Sequence, residues 1–366
     1  MRFYVGNYTR LGGPGVCECE LAEGELRFVQ AADTKIEDPT YLILSGDGKT
    51  LFATSSTASG GEAGDSVATF DVSGGGLRLT SMQPTGGRSA CHLTLSPDER
   101  FLYVANYDDG KLSVFPVAEG KVGPRVQLIQ HEGHGADPRR QAGPHVHFVA
   151  FHPEDGRLYA VDLGLDAVMI YRQDAETGLL TLDERVDVPA GMGPRHLAFR
   201  NDMMYVAHEL GGAVSVFRGG LAGWSLEQTV STMPEGGGSE SAVAAIRVLG
   251  DHVYVSNREN DDIAEFEIRM GGSLVLERNI PTFGSFPRDF VLLHDGLILA
   301  ANQNSGDIRL VKATPLNPPR RQTFYMGMKA ILGGREIEMD ILEAAVCELC
   351  DPLPLPGAVC ICPARD

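Results

Sequence analysis

The sequence predicts an all-β chain, and three observations lead there. Glycine (44) and proline (21) are abundant among the 366 residues, a composition that supplies turns and breaks helices. Helical periodicity is nearly absent before residue 320. One short pattern also recurs seven times: RFYVGNY, TLFATSS, FLYVANY, RLYAVDL, MMYVAHE, HVYVSNR and LILAANQ, beginning at Arg2, Thr50, Phe101, Arg157, Met203, His252 and Leu297. Successive copies start 48, 51, 56, 46, 49 and 45 residues apart. Short β-branched and aromatic runs at that period predict a seven-bladed β-propeller, one blade per repeat, with residues 1–366 forming a single domain.

The copy around Arg157 predicts the strands of a blade in order. HFVAFHP is nearly continuous in apolar residues, as an inner strand packed on both faces requires. EDG is a tight turn, RLYAVDLG the second strand, DAVMIYRQD the third and GLLTLDERVDV the outer fourth. RFYVGNY has no inner strand before it, so another segment must complete its blade. GAVCIC at 357–362 has the right length and apolarity, and pairing of the two termini closes the ring without exposed edges. Loss of the last ten residues is therefore expected to open it. Residues 315–354 stand where a short outer strand belongs. Their KAILGGREIEMDILEAAVCEL stretch has partly helical periodicity and reads as an atypical insertion, with a dimer contact as one use.

Composition narrows the function. A net charge of −18 argues against a broad grip on nucleic acid or on an anionic membrane surface. No run of about 18 apolar residues offers a membrane span. The start MRFYVGNYT reads as strand rather than secretory signal, so a cytoplasmic location is expected, with the seven cysteines as reduced thiols. Cys347, Cys350, Cys360 and Cys362 have a spacing that invites zinc, but the last two fall in the closing strand. No metal or other cofactor is expected.

In a propeller, the start of each inner strand and the end of each second strand meet on one face. Inner-strand starts carry Cys91-His92, His145-Val146-His147, Arg195-His196 and Arg288-Asp289. Second-strand ends carry Asn7-Tyr8, Asn106-Tyr107, Asp162, His208-Glu209, Asn257-Arg258 and Asn302-Gln303. The pattern converges a polar ring on one mouth of the channel. Glu209, His145, His147, Arg195 and Arg258 are the catalytic candidates: Glu209 or a histidine as base toward water, the arginines stabilising an oxyanion. A structural salt-bridge network is the competing reading. His196, Arg140, Arg288, Asn106, Asn257 and Gln303 are candidates for binding substrate, although asparagines at strand ends also serve as structural hydrogen-bonders. Tyr8 and Tyr107 suit packing or binding equally, and Cys91 reads as a small buried hydrophobe. The loop 128–144, with His131, His134, Arg139 and Arg140, reads as a partial lid or a solvated loop.

PHVHFVAFHPEDGRLYAVDLGLD, GPRHLAF with YVAHEL, YVSNR, and FPRDF followed by LAANQNSGDI together resemble the seven-bladed propeller lactonases. That family includes cycloisomerase-type 6-phosphogluconolactonases and carboxy-cis,cis-muconate lactonising enzymes. The similarity runs from residue 1 to about 312 and resumes at PLPGAVCI. It implies an active site of a His, a Glu and two Arg, falling on His145 or His147, Glu209, Arg195 and Arg258, and it matches an RQ pair at Arg140-Gln141. LFATSST in blade 2 departs from relatives that carry a Glu there. The implied activity is cofactor-free hydrolysis of 6-phospho-D-glucono-1,5-lactone in the oxidative pentose phosphate pathway. The implied partner is a small anionic lactone, and the chain is expected as monomer or homodimer. Alternatives are a related muconate or sugar-lactone reaction on the same residues, and a non-enzymatic binding scaffold.

Overall fold

A computed structural model of the chain describes residues 1–56, 64–234, 242–313, 329–332, 335–338, 346–348 and 350–364. Among the described residues, seven antiparallel sheets of four or five strands lie round one axis. Six of the second strands begin where the repeat predicts, at Arg2, Thr50, Phe101, Met203, His252 and Leu297, and the other begins one residue late at Leu158. These strands are buried almost throughout because a blade is covered on both faces by its neighbours. Phe101–Asn106 and Met203–His208 have no exposed residue. Outer strands such as Leu180–Asp187 are mostly exposed at the rim, with Leu180 and Val186 buried.

Blade 1 is built from both ends of the chain. The closing strand Ala358–Pro363, one residue on from the predicted 357–362, pairs antiparallel with Arg2–Asn7 and so becomes the inner strand of that sheet. It packs between Pro287–Leu292 of blade 7 and Leu42–Leu44 of blade 2. Asp289 of blade 7 accepts a hydrogen bond from the Ile361 amide at 3.1 Å, a side-chain clasp across the closure.

The helical reading of 315–354 is corrected wherever that stretch is described. Lys329–Leu332 pairs antiparallel with Arg335–Glu338, while Val346–Glu348 and Leu353–Pro354 add to the third strand of blade 7. Residues 315–328, 333–334, 339–345 and 349, with the Cys347 side chain, lie outside the described residues.

Candidate active site

Two local rules of the blade decide which side chains reach the channel mouth. The first is a bulge at the start of the inner strands. Pairing skips from Ala90 to His92, Val146 to Phe148, Pro194 to His196 and Pro287 to Asp289, leaving Cys91, His147, Arg195 and Arg288 as extra residues. A bulge turns its unpaired residue away from the regular alternation, and these four side chains are presented to the axis. Blade 6 has the same irregularity between Val243 and Ile246, at Ala244-Ala245. Those small residues leave space for Arg258, whose guanidinium donates to the carbonyls of Ala242 and Val243.

The second rule is alternation at the end of the second strand. The last strand residue turns into its own blade, and the next one faces the channel. Tyr8, Ser56, Tyr107, Glu209 and Arg258 occupy this second position and line one cavity of about 270 Å3, together with Arg10, Thr40, Cys91, Arg140, His147 and Arg288.

Glu209 is the centre of this cavity. Arg140 Nη2 donates to its Oε1 at 2.6 Å, while Arg195 Nε and Arg258 Nη2 lie 3.1 and 2.8 Å from Oε2. Burial alone would raise the Glu209 pKa, but Arg258 and Arg195 outweigh it and hold the carboxyl well below the usual range. Arg195 is 2% exposed, and its Nη1 donates to His196 Nε2 at 3.2 Å. Burial, then repulsion from Arg258 and Arg288, pushes the Arg195 pKa down, though a guanidinium stays protonated at neutral pH. His147 is driven well below the ordinary imidazole value by burial and by Arg195, and its Nδ1 has no hydrogen-bond partner. It is a neutral imidazole beside an ionised carboxylate. Burial raises the Cys91 thiol to about 12, so that side chain is a protonated donor to the His147 carbonyl and no nucleophile.

Beneath the cavity the channel is plugged by Tyr41, His92, Phe148 and His196. Ring centroids lie 3.8 Å apart for Tyr41 and His92, 4.1 Å for His92 and Phe148, and 4.8 Å for Phe148 and His196. The plug closes the lower end of the site, so substrate approaches from the mouth.

A family description, "Lactonase, 7-bladed beta-propeller", matches residues 2–317. The chain belongs to this lactonase family. It is 34% identical over 317 residues to a Bacillus subtilis 6-phosphogluconolactonase, covering 84% of this chain and 89% of that one. Among solved structures it resembles the periplasmic gluconolactonase PpgL of Pseudomonas aeruginosa, with a TM-score of 0.83 and 26% identity over 99% of this chain and 98% of that one. A Lactobacillus plantarum protein superposes with a TM-score of 0.81 at 25% identity, covering 98% of both chains.

In this lactonase-family propeller Glu209, His147, Arg195, Arg258, Arg140 and Arg288 come together. Several other candidates do not reach the cavity. His145 stacks on Tyr107 with centroids 4.5 Å apart and donates from Nδ1 to the Tyr107 carbonyl, so it braces that tyrosine from behind. His196 belongs to the plug and acts through Arg195. Asn106 turns into its blade and donates to Lys111 O and Ser113 Oγ, and Asn257 donates to Asp262. Their strand-end position carries the structural role. Gln303 occupies the favourable second position, but its amide turns to Asn304.

The 128–144 loop is divided in the same way. His131 is buried between Asp162 and the Tyr171 hydroxyl, Gln141 holds Asp166, and only Arg140 is delivered to the site. Arg10, absent from the sequence-based set, enters from the Thr9–Leu11 turn directly after Tyr8. The signal for it was its place three residues beyond the second strand Arg2–Asn7. Among the described residues, His252, Glu265 and Glu277 form a group with metal-ligand spacing, but it lies in blade 6 away from the mouth, and Glu265 already pairs with Arg278.

Proposed function

We propose that the protein hydrolyses a small anionic sugar lactone, with 6-phospho-D-glucono-1,5-lactone as substrate. The observation that carries this reading is the division of labour at the mouth. A neutral buried imidazole, His147, stands beside a carboxylate, Glu209, that is fully occupied in holding three guanidiniums. A carboxylate with so low a pKa is a poor base, which leaves His147 to take the proton as water attacks the lactone carbonyl. Negative charge then develops on the carbonyl oxygen, and Arg195 and Arg258, already fixed by Glu209, need no reorganisation to meet it. As the tetrahedral species collapses, the bond from the carbonyl carbon to the ring oxygen breaks. The imidazolium of His147 returns the proton to that oxygen, and the product acid ionises.

The charge balance of the site supports an anionic substrate. Arg10, Arg140, Arg258 and Arg288 line the cavity with Glu209 as the one acid among its lining residues, four cations against one anion in a chain of net charge −18. The names of the relatives support a gluconolactone scaffold.

The test is turnover of fresh 6-phosphogluconolactone above its spontaneous opening, followed by a coupled dehydrogenase, in wild type, His147→Asn and Glu209→Gln. The expected wild-type rate is well above the blank. His147→Asn should lower kcat about 100- to 10,000-fold. Glu209→Gln should lose activity and about 3–5 kcal/mol of stability, read as a lower Tm, because the buried guanidiniums of Arg195 and Arg258 lose their common carboxylate. A wild-type rate equal to the blank on this lactone, on gluconolactone and on muconolactones would leave a binding scaffold as the remaining reading.

A further inference from the structure

The positive charge of the cavity is not evenly committed. Arg140, Arg195 and Arg258 share Glu209, and Arg10 pairs with Asp38. Arg288 alone of the five makes no ion pair or hydrogen bond among the described residues. Its guanidinium lies 5.7 Å from the centroid of the Tyr8 ring, whose other contact is the Arg10 guanidinium at 3.7 Å. Burial disfavours its charge, but the fields of Tyr8 and Glu209 outweigh that and hold the guanidinium protonated, so it is a standing cation with no direct ion-pair partner among the described residues.

The placement of this cation matters as much as its lack of a partner. His147, Arg195 with Glu209, and Arg258 belong to blades 4, 5 and 6, whereas Arg288 is on blade 7 and Tyr8 and Arg10 are on blade 1. In a closed ring of seven, blade 1 faces blades 4 and 5 across the channel. The cavity therefore has a reacting side and, opposite it, a cationic side with an unclaimed five-donor fork. A substrate lying across the mouth would meet both.

Resting on the lactonase reading, we propose that Arg288, seated on Tyr8, is the subsite for a dianionic phosphoryl group at the far end of the substrate. This subsite orients the lactone toward His147 and sets the preference for phosphorylated over unphosphorylated sugar lactones. The guanidinium fork matches the oxygen spacing of a phosphate. The cavity's surplus of three positive charges calls for more than a single carboxylate.

The experiment compares kcat/KM on 6-phosphogluconolactone and on glucono-1,5-lactone in wild type, Arg288→Met and Arg288→Lys. It is paired with calorimetric binding of 6-phosphogluconate, gluconate and inorganic phosphate to the same proteins. Arg288→Met should lower the ratio of the two kcat/KM values on the order of 100-fold. Arg288→Lys, which keeps the charge but loses the fork, should recover part of it. Wild type should bind 6-phosphogluconate more tightly than gluconate, and the difference should vanish in Arg288→Met.

An unchanged ratio in folded Arg288→Met, with turnover intact, overturns the subsite and leaves the lactonase reading standing. Arg288-dependent binding of 6-phosphogluconate with no turnover of any lactone overturns the lactonase reading and leaves the anion subsite. Should Arg288→Met fail to fold, the Lys variant and the wild-type binding difference decide. Equal wild-type affinity for 6-phosphogluconate and gluconate overturns the subsite.

Discussion

At the channel mouth Glu209 and His147 divide roles that a carboxylate and an imidazole ordinarily compete for, and the division follows from their neighbours. Three guanidiniums keep Glu209 ionised. Burial and the adjacent Arg195 keep His147 neutral. The sequence shows both residues at the rim but not which is the base, because the answer lies in contacts between blades 4, 5 and 6 and the 128–144 loop. The pH dependence of kcat/KM tests the assignment. A base whose pKa is depressed is already unprotonated above the ordinary imidazole value of about 6.5. The profile, corrected for spontaneous hydrolysis, should be flat from pH 8 to 6.5 and fall only at lower pH. An acid limb centred at or above pH 7 would show that a different group takes the proton.

Single elements show why one residue's difference in position separates binding from structure. Asn106 and Tyr107 are adjacent at the end of Phe101–Asn106, yet the first is fully buried and bonds its own blade while the second lines the cavity. Both were legible as rim residues from the repeat, but alternation across a strand end was not, since it depends on where pairing stops. The bulges that present His147, Arg195 and Arg288 were hidden for a related reason. They are a feature of register between two strands, and one copy of a segment does not reveal its partner's count. Asn106 also packs tightly against the loop before its inner strand, where a Cβ at Gly87 would come within 2.5 Å of Asn106 Cγ. Asn106→Ala should therefore destabilise the fold by about 1–3 kcal/mol through lost buried hydrogen bonds. Its KM for lactone should stay at the wild-type value. Thermal melts and steady-state kinetics on the same preparation check both, and a raised KM without a change in Tm would return Asn106 to the binding site.

Ring closure gathers residues from blades that are distant in sequence into one interior, and that interior holds an unusual set of neutral imidazoles. His92, His147 and His196 are all driven well below their ordinary pKa by burial, with nearby arginines adding to the effect, and burial alone takes His208 to about 3. Above about pH 6.5 these groups are neutral whether the chain is folded or not, so they give stability no pH dependence there. Below it the unfolded chain takes up protons that the folded chain refuses. Stability then falls by about 1.4 kcal/mol per pH unit for each imidazole, roughly 5 kcal/mol per unit for the four together. Glu209, whose pKa is also depressed, adds to the loss below the ordinary carboxylate range. Asp289 and Asp262 act in the opposite sense, because burial raises their pKa values and protonation relieves them, but they are two groups against five. Against a typical stability of about 5–15 kcal/mol, the whole ring should unfold cooperatively with an acid midpoint between about pH 4 and 6. Circular dichroism during acid titration reads this directly, with His208→Gln expected to move the midpoint down. A native fold that persists to pH 3 would mean that the plug accepts protons without opening, and that burial at the propeller axis is less complete than the packing of His92, Phe148 and His196 implies.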